Sequence, residues 1–407
     1  MTKRHSVDAA LALQIILRLK TGGNVVVGAH LFSVGREAWL RGAEQVLKDL
    51  EITGDAFVRF IRGDYGVGKT NFAARLFHQA LERGWAVSYV EIGDSAPMHE
   101  FAVVLASIMA NLRTPADLPN LLSGAKLSTG GMGGILDEFY SRVKESVGLK
   151  PGADIPATFH DEMLGRAESM MNRVHIDGDF RSAVRSYLTA KVNQDASQQE
   201  DLVTWFKGGP ALKHLEVFKP ISKANAKTHL RHFTSLVMAL GYKGTVILLD
   251  ELETIMDEST VRRRKAYGVL RELIDNVDGV GGMRAACLYC AAPPAQFESQ
   301  KGFIEYEALA SRIAELPSDT GAQDYAGTMI DLDKAPLQGE EVLALLKKLR
   351  EVHAIARQYP DSKAVSDTEL RKLRDKFEST GGYGGKRLRD LCREAVTLLD
   401  AAWQADA

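Results

Sequence analysis

The residues best equipped for chemistry fall in two short stretches. The first, Gly63-Asp64-Tyr65-Gly66-Val67-Gly68-Lys69-Thr70, has the spacing G-x-x-x-x-G-K-[ST]. An apolar run, Phe57 to Ile61, precedes it, and the helix-periodic stretch NFAARLFHQAL follows. Strand, glycine-rich loop and helix in that order make an anion cradle. Glycines let successive backbone N–H groups converge on a polyphosphate, and the helix adds its positive N-terminal end. This places Lys69 on the β/γ-phosphates and the Thr70 hydroxyl on Mg²⁺, with Gly63, Asp64, Tyr65, Gly66, Val67, Gly68 and Asn71 around the nucleotide. The second stretch, Thr245-Val-Ile-Leu-Leu-Asp250-Glu251, reads as a buried strand ending in two carboxylates. One such group can hold Mg²⁺ and the other can take a proton from an attacking water. Asp250 is therefore assigned the metal side and Glu251 the general base. The expected cofactors are ATP and Mg²⁺.

Positioning these groups requires a parallel sheet. Trp85 to Ile92 and Met283 to Pro293 read as further strands, and Phe101 to Leu112 as a helix. Strands alternating with helices imply a sheet covered on both faces, with the nucleotide at the carboxyl ends of its strands. Ahead of the loop, Val7 to Leu19 has helical spacing and Thr21-Gly22-Gly23 stops it. Val25-Val26-Val27 reads as a strand, and Ser33 is placed to cap a helix running to Leu50. Thr70 and Asp250 lie 180 positions apart (70 to 250). From Thr114 to Gly241 only helical windows occur, at Ile135–Val147, Thr158–Val174, Phe180–Val192, Gln198–Trp205 and Ala226–Ala239. This is a helical insertion of about a hundred residues, a natural partner surface. Met329 to Pro336 resembles the last core strand and hinge of nucleotide-binding modules, and the three helical windows beyond it are consistent with a small lid.

Charge adds detail. Across 407 residues the net charge is −2, so any DNA or RNA contact must come from a local patch. One candidate is Arg262-Arg263-Arg264-Lys265 after the helix cap Ser259-Thr260, a run that could also meet carboxylates of a neighbouring subunit or simply be solvated. A second is the lid, where Glu341 to Arg393 carries 13 Lys/Arg against 8 Asp/Glu, Arg371 to Lys376 among them. The turn Gly381-Gly-Tyr-Gly-Gly385 delivers Lys386, Arg387 and Arg389 to the first turn of the last helix, against the helix dipole, which points to an anionic ligand. Cys287 and Cys290 have C-x-x-C spacing, but in a strand they face opposite sides, so neither zinc nor a redox pair is expected. With Cys392 they make no disulfide framework, no secretory leader is read at the N-terminus, and no apolar run is long enough to cross a membrane. A cytoplasmic protein is expected.

The motifs LFSVGRE, FIRGDYGVGKTNFAARLFHQALERGWAV, ALGYKGTVILLDELETI, YEALASRI and GGYGGKRLRDL, in that order, resemble the P-loop ATP-binding proteins of bacterial BREX-type phage-defence loci. These look like relatives of the origin-recognition and STAND branch of AAA+ ATPases. The resemblance implies an αβα AAA+ core with a parallel sheet, the large helical insertion and a C-terminal helical lid. The implied segments are 1–50 as N-terminal helices, 51–335 as the core with the insertion near 114–241, and 336–407 as the lid. It implies that Arg36 borders the adenine, that Arg387 reaches the γ-phosphate, and that Arg312 enters a neighbouring subunit's ATP. The γ-phosphate-sensing polar residue of related ATPases has no clear counterpart, Gln296 being the nearest. It also implies a homo-oligomer serving with other proteins of a defence operon. A nucleotide-gated scaffold with little hydrolysis, and a DNA-translocating or clamp-loading ATPase, remain open alternatives.

Overall fold

The computed structural model describes residues 8–124, 130–150, 156–275, 282–313, 323–360, 365–379 and 386–405. Five strands, β1 (Ala56–Arg62), β2 (Ala86–Glu91), β3 (Thr245–Asp250), β4 (Ala286–Ala292) and β5 (Met329–Asp331), form one parallel sheet in the order β2-β3-β4-β1-β5. The strand leading into the phosphate loop and the strand ending in the acidic pair are thus separated only by β4. Both faces of the sheet are covered, as the near-continuous apolar character of its strands requires. Val58 and Phe60 of β1 point to one face and Ile61 to the other, following the two-residue period of a strand.

The helices in chain order are α1 (Ala9–Lys20), α2 (Glu37–Thr53), α3 (Lys69–Glu82), α4 (Phe101–Ala110), α5 (Leu118–Leu122), α6 (Gly131–Ser146), α7 (His160–Arg173), α8 (Gly178–Val192), α9 (Ala196–Phe206) and α10 (Ala226–Ala239). After β3 come α11 (Thr254–Asp257), α12 (Thr260–Asp275), α13 (Pro294–Glu298), α14 (Glu307–Ile313), α15 (Glu340–Arg357), α16 (Asp367–Ser379) and α17 (Lys386–Ala405). Helices α2 and α3 cover one face, packing Trp39, Leu47, Phe72 and Phe77 against Ile61, Leu248 and Tyr289. The other face meets α4 and α12 and continues without a break into the core of α6–α10, where Phe139, Phe180, Trp205 and Phe233 are buried. The helical insertion is therefore anchored through the same apolar core as the sheet. Cys287 and Cys290 lie on opposite faces, both buried.

Helix α1 does not pack on the sheet. Its Leu11, Ile15, Ile16 and Leu19 join Leu346, Leu349, Val396 and Leu399 of α15 and α17 in a separate apolar cluster. The two ends of the described chain thus build one helical unit. At its centre the buried Asp400 accepts from Lys20 Nζ (2.7 Å), His353 Nε2 (3.2 Å) and Arg357 Nη2 (2.8 Å). Burial alone would raise this carboxyl, but the three donors outweigh it and hold the group down to about 2.

Two local expectations fail. Val25-Val26-Val27 is not a strand: these residues find no sheet edge, and Val25 packs in the α1–lid cluster. Ser33 does not cap α2. Arg36 is the capping residue, and Ser33 Oγ donates to Ala29 O (2.6 Å) and Asn71 Oδ1 (2.8 Å).

Asp400→Asn leaves two cations and a histidine with a weaker partner in a buried place, and should cost about 3 kcal/mol in denaturant unfolding. Because the folded-state pKa of Asp400 is depressed, its stabilising contribution is present above about pH 4 and is lost as pH falls toward 2. The variant should lack that part of the acid-side slope.

Candidate functional site

The phosphate loop joins β1 to α3. Gly66 (φ 78°) and Gly68 (φ 100°) hold backbone conformations that residues with a Cβ adopt at a cost, so that successive N–H groups face one concavity. Lys69 opens α3, and its Nζ donates to Gly63 O at 2.9 Å while lying 5.1 Å from the Tyr65 ring centroid. Asp64 N–H donates to the carboxylate of Asp333, 3.1 Å away in the loop after β5, which fixes the first turn of the cradle.

Helix α3 packs against β2, β3 and β4. Its first turn therefore lies over the carboxyl end of the acidic strand. Thr70 Oγ1 donates to Asp250 Oδ2 at 2.7 Å. The same oxygen accepts from Tyr89 OH, also at 2.7 Å, and Glu251 N–H donates to Oδ1 at 3.0 Å. Tyr89 comes from β2, where it pairs in register with Leu248. Burial, reinforced by Asp250, pushes its phenol well above the ordinary range, so it stays a donor. Asp250 is buried, fully hydrogen-bonded and without a cationic partner among the described residues. Glu251 sits in the left-handed region (φ 61°), a conformation that costs a residue with a side chain about 1 kcal/mol. Its side chain lines the cavity beside the loop, as does Glu253. Glu253 is 9% exposed and its Oε2 has no hydrogen-bond partner. Burial, aided by Glu251 and opposed by Lys69, pushes its carboxyl up to about 7.

Arg36 lies in this cavity, with Nη2 donating to Val67 O at 2.7 Å and Nε to Ala335 O at 3.4 Å. The guanidinium thus touches the phosphate loop and the segment leading into the lid. Burial lowers its pKa to about 10. It too has a left-handed backbone (φ 63°). Asn71 is held by Ser33, whose carbonyl accepts from Lys348 of α15 at 2.7 Å, a second tie between loop helix and lid. The far end of the cavity is apolar, lined by Val25, Phe32, Leu345 and Leu388, with Arg389 at the rim.

Other expected residues lie elsewhere. Gln296 is buried in α13, donates to Tyr267 OH at 3.0 Å and does not line the cavity, so it is committed to packing. Arg312 pairs with Asp275 (Nη2 to Oδ2, 3.1 Å) on the surface of α14, outside this chain's own cavity. The run at the start of α12 is largely spoken for within the chain. Arg263 is buried against Glu305, Arg264 reaches Glu305 at 3.3 Å and Arg262 reaches Glu258 at 3.5 Å. The glycine turn 381–385 and the Arg387 side chain lie outside the described residues. Tyr89, Asp333 and the N-terminal corner 22–25 were not signalled by any motif, and Glu253 stood in the phrase ALGYKGTVILLDELETI without a role. Arg389 stood in the quoted GGYGGKRLRDL phrase, two positions beyond the arginine expected to serve.

No helix of the described residues is long and apolar enough to cross a membrane. A comparison with curated proteins gives no match, and neither does one with solved structures. The family model of the BREX system ATP-binding protein BrxC/D matches residues 7–407, spanning both nucleotide motifs, the helical insertion and the lid. With the phosphate cradle and the acidic strand end brought to one cavity, the chain belongs to the BREX system ATP-binding protein BrxC/D family and is an ATP-binding protein of that phage-defence system.

Proposed function

We propose that the chain is a Mg²⁺-dependent AAA+ ATPase, acting as a nucleotide-driven switch or motor beside other proteins of its defence operon in the cytoplasm. The observation that carries this reading is the 2.7 Å hydrogen bond from Thr70 Oγ1 to Asp250 Oδ2, between motifs 180 positions apart. Thr70 spends its proton on Asp250, so its oxygen lone pairs are free to face a metal. Tyr89 donates to the same Asp250 oxygen and fixes the carboxylate's orientation. These donors fit Mg²⁺, a hard cation that takes few protein oxygens and keeps the rest of its shell for water and phosphate. Bound there, Mg²⁺ would neutralise charge on the β- and γ-phosphate oxygens.

This chain's residues supply the other roles. Lys69 exchanges the carbonyl of Gly63 for phosphate oxygens. Glu251 takes the proton of the attacking water. Arg36, which the resemblance places beside the adenine, also holds the loop in shape through Val67 O. The apolar end takes the adenine. Arg387 and Arg389 start the last lid helix, so lid closure brings cations toward the nucleotide and hydrolysis releases them. Arg312, on the outside of α14, serves a neighbouring copy in a homo-oligomer. The segments are a core over 51–335 with its insertion, and a lid over 336–407 joined by α1 from the N-terminal 1–50.

Lys69→Ala should lose ATP binding in a filter or calorimetric assay, whereas Glu251→Gln should bind ATP normally and hydrolyse it at least about 100-fold more slowly. Normal turnover by Glu251→Gln would remove that residue as the base. Tyr89→Phe should bind ATP without metal as the native chain does, but need several-fold more Mg²⁺ for half-maximal tight binding. An unchanged Mg²⁺ titration would reduce Tyr89 to packing. Arg312→Ala should bind ATP yet fail to hydrolyse it, and mixing with Glu251→Gln protein should restore part of the rate, since each supplies what the other lacks. Full activity of Arg312→Ala alone would refute the shared site.

A further inference from the structure

Charge in the helical insertion is segregated along the chain. Residues 202–241 hold six Lys/Arg and a single carboxylate, Glu216, in a chain whose net charge is −2. Four of the cations, Lys207, Lys213, Lys219 and Lys223, lie between α9 and α10, all exposed. The contrast with their neighbours is clear. Arg142, Arg181, Lys191, Lys227 and Arg231 of the surrounding helices all reach carboxylates of this chain. None of the four lysines is ion-paired among the described residues.

The segment carrying them is built, not slack. Trp205 Nε1 donates to Lys219 O (2.9 Å), Ser186 Oγ to Leu215 O (3.0 Å) and Phe218 N–H to Asp179 Oδ1 (2.6 Å). Leu212 and Val217 exchange backbone hydrogen bonds at 2.9 and 3.2 Å, closing a tight loop around Lys213 and His214. That frame holds the Phe218 ring 60% exposed, next to Lys219 in sequence. An aromatic ring held in water on a fixed backbone, among cations that lack partners, matches a strand whose phosphates meet the ammonium groups and whose bases meet the ring. An acidic peptide would satisfy the lysines but leaves the ring without a reason. A duplex hides its base faces.

We propose that residues 207–223 of the helical insertion form a docking surface for a single-stranded nucleic acid. The surface belongs to a different part of the fold from the nucleotide cavity and its existence does not depend on hydrolysis. The full-length chain should bind a fluorescent single-stranded oligonucleotide in an anisotropy titration, with affinity falling as salt rises. Replacing all four lysines together (Lys207→Glu, Lys213→Glu, Lys219→Glu, Lys223→Glu) should weaken binding at least tenfold and lower the slope of log K against log salt by about 3, since each phosphate no longer neutralised takes away roughly 0.7. Phe218→Ala should weaken single-strand binding about tenfold with the salt slope unchanged. ATP binding by both variants should match the native chain, which reports that they fold. Arg371→Glu with Lys372→Glu on the lid serves as a charge control and should leave strand affinity within about twofold. The proposal is overturned if the native chain fails to bind, if it prefers a duplex of the same length, if the lid variant loses as much as the lysine variant, or if Phe218→Ala binds normally.

Discussion

The hydrogen bond between Thr70 and Asp250 is the constraint on which the arrangement rests. Neither residue can reach the other unless β1 and β3 lie in one sheet with a single strand between them, and unless α3 leaves the phosphate loop toward β3. Parallel strands need long crossovers, and this chain uses the one before β3 to house the whole helical insertion. The insertion is large, but its core is continuous with that of the sheet. Extending the crossover did not loosen the geometry at the strand end.

Around that bond the chain stores cost in the residues that line the cavity. Glu251 and Arg36 hold left-handed backbones, the half-buried Arg36 guanidinium donates to two carbonyls, and Glu253 has a buried carboxyl oxygen with no partner among the described residues. Each is unfavourable alone and persists because well-packed elements surround it. The lid couples to the same place by short routes, Arg36 to Ala335 and Lys348 through Ser33 to Asn71. Helix α1 is part of that unit through Asp400, which ties Lys20 to His353 and Arg357.

The sequence made much of this legible, for identifiable reasons. The phosphate loop and the acidic strand have fixed spacing and characteristic flanks, and all five expected helical windows of the insertion appear within a few residues of their places. Features that depend on tertiary placement were not legible. Tyr89 reads as an ordinary strand aromatic until register sets its hydroxyl on Asp250. Val25-Val26-Val27 has strand composition but pairs with no strand among the described residues, and Val25 packs in the α1–lid cluster. Ser33 has a capping residue's chemistry but spends it on Ala29 and Asn71, because Gly35 and Arg36 turn the chain left-handed before α2 begins. Arg263 and Arg264 at the start of α12 looked available and are paired, since Glu305 is distant in sequence and adjacent in space.

The most direct test is a crystal structure of the chain with Mg²⁺ and a non-hydrolysable ATP analogue. Polyphosphate should lie cradled by residues 63–70, with a metal on the Thr70 hydroxyl within water-bridging reach of Asp250 and the base in the apolar end beside Phe32. A triphosphate bound elsewhere, or a metal with Asp250 turned away from it, would contradict the assignment of this cavity as the ATP site.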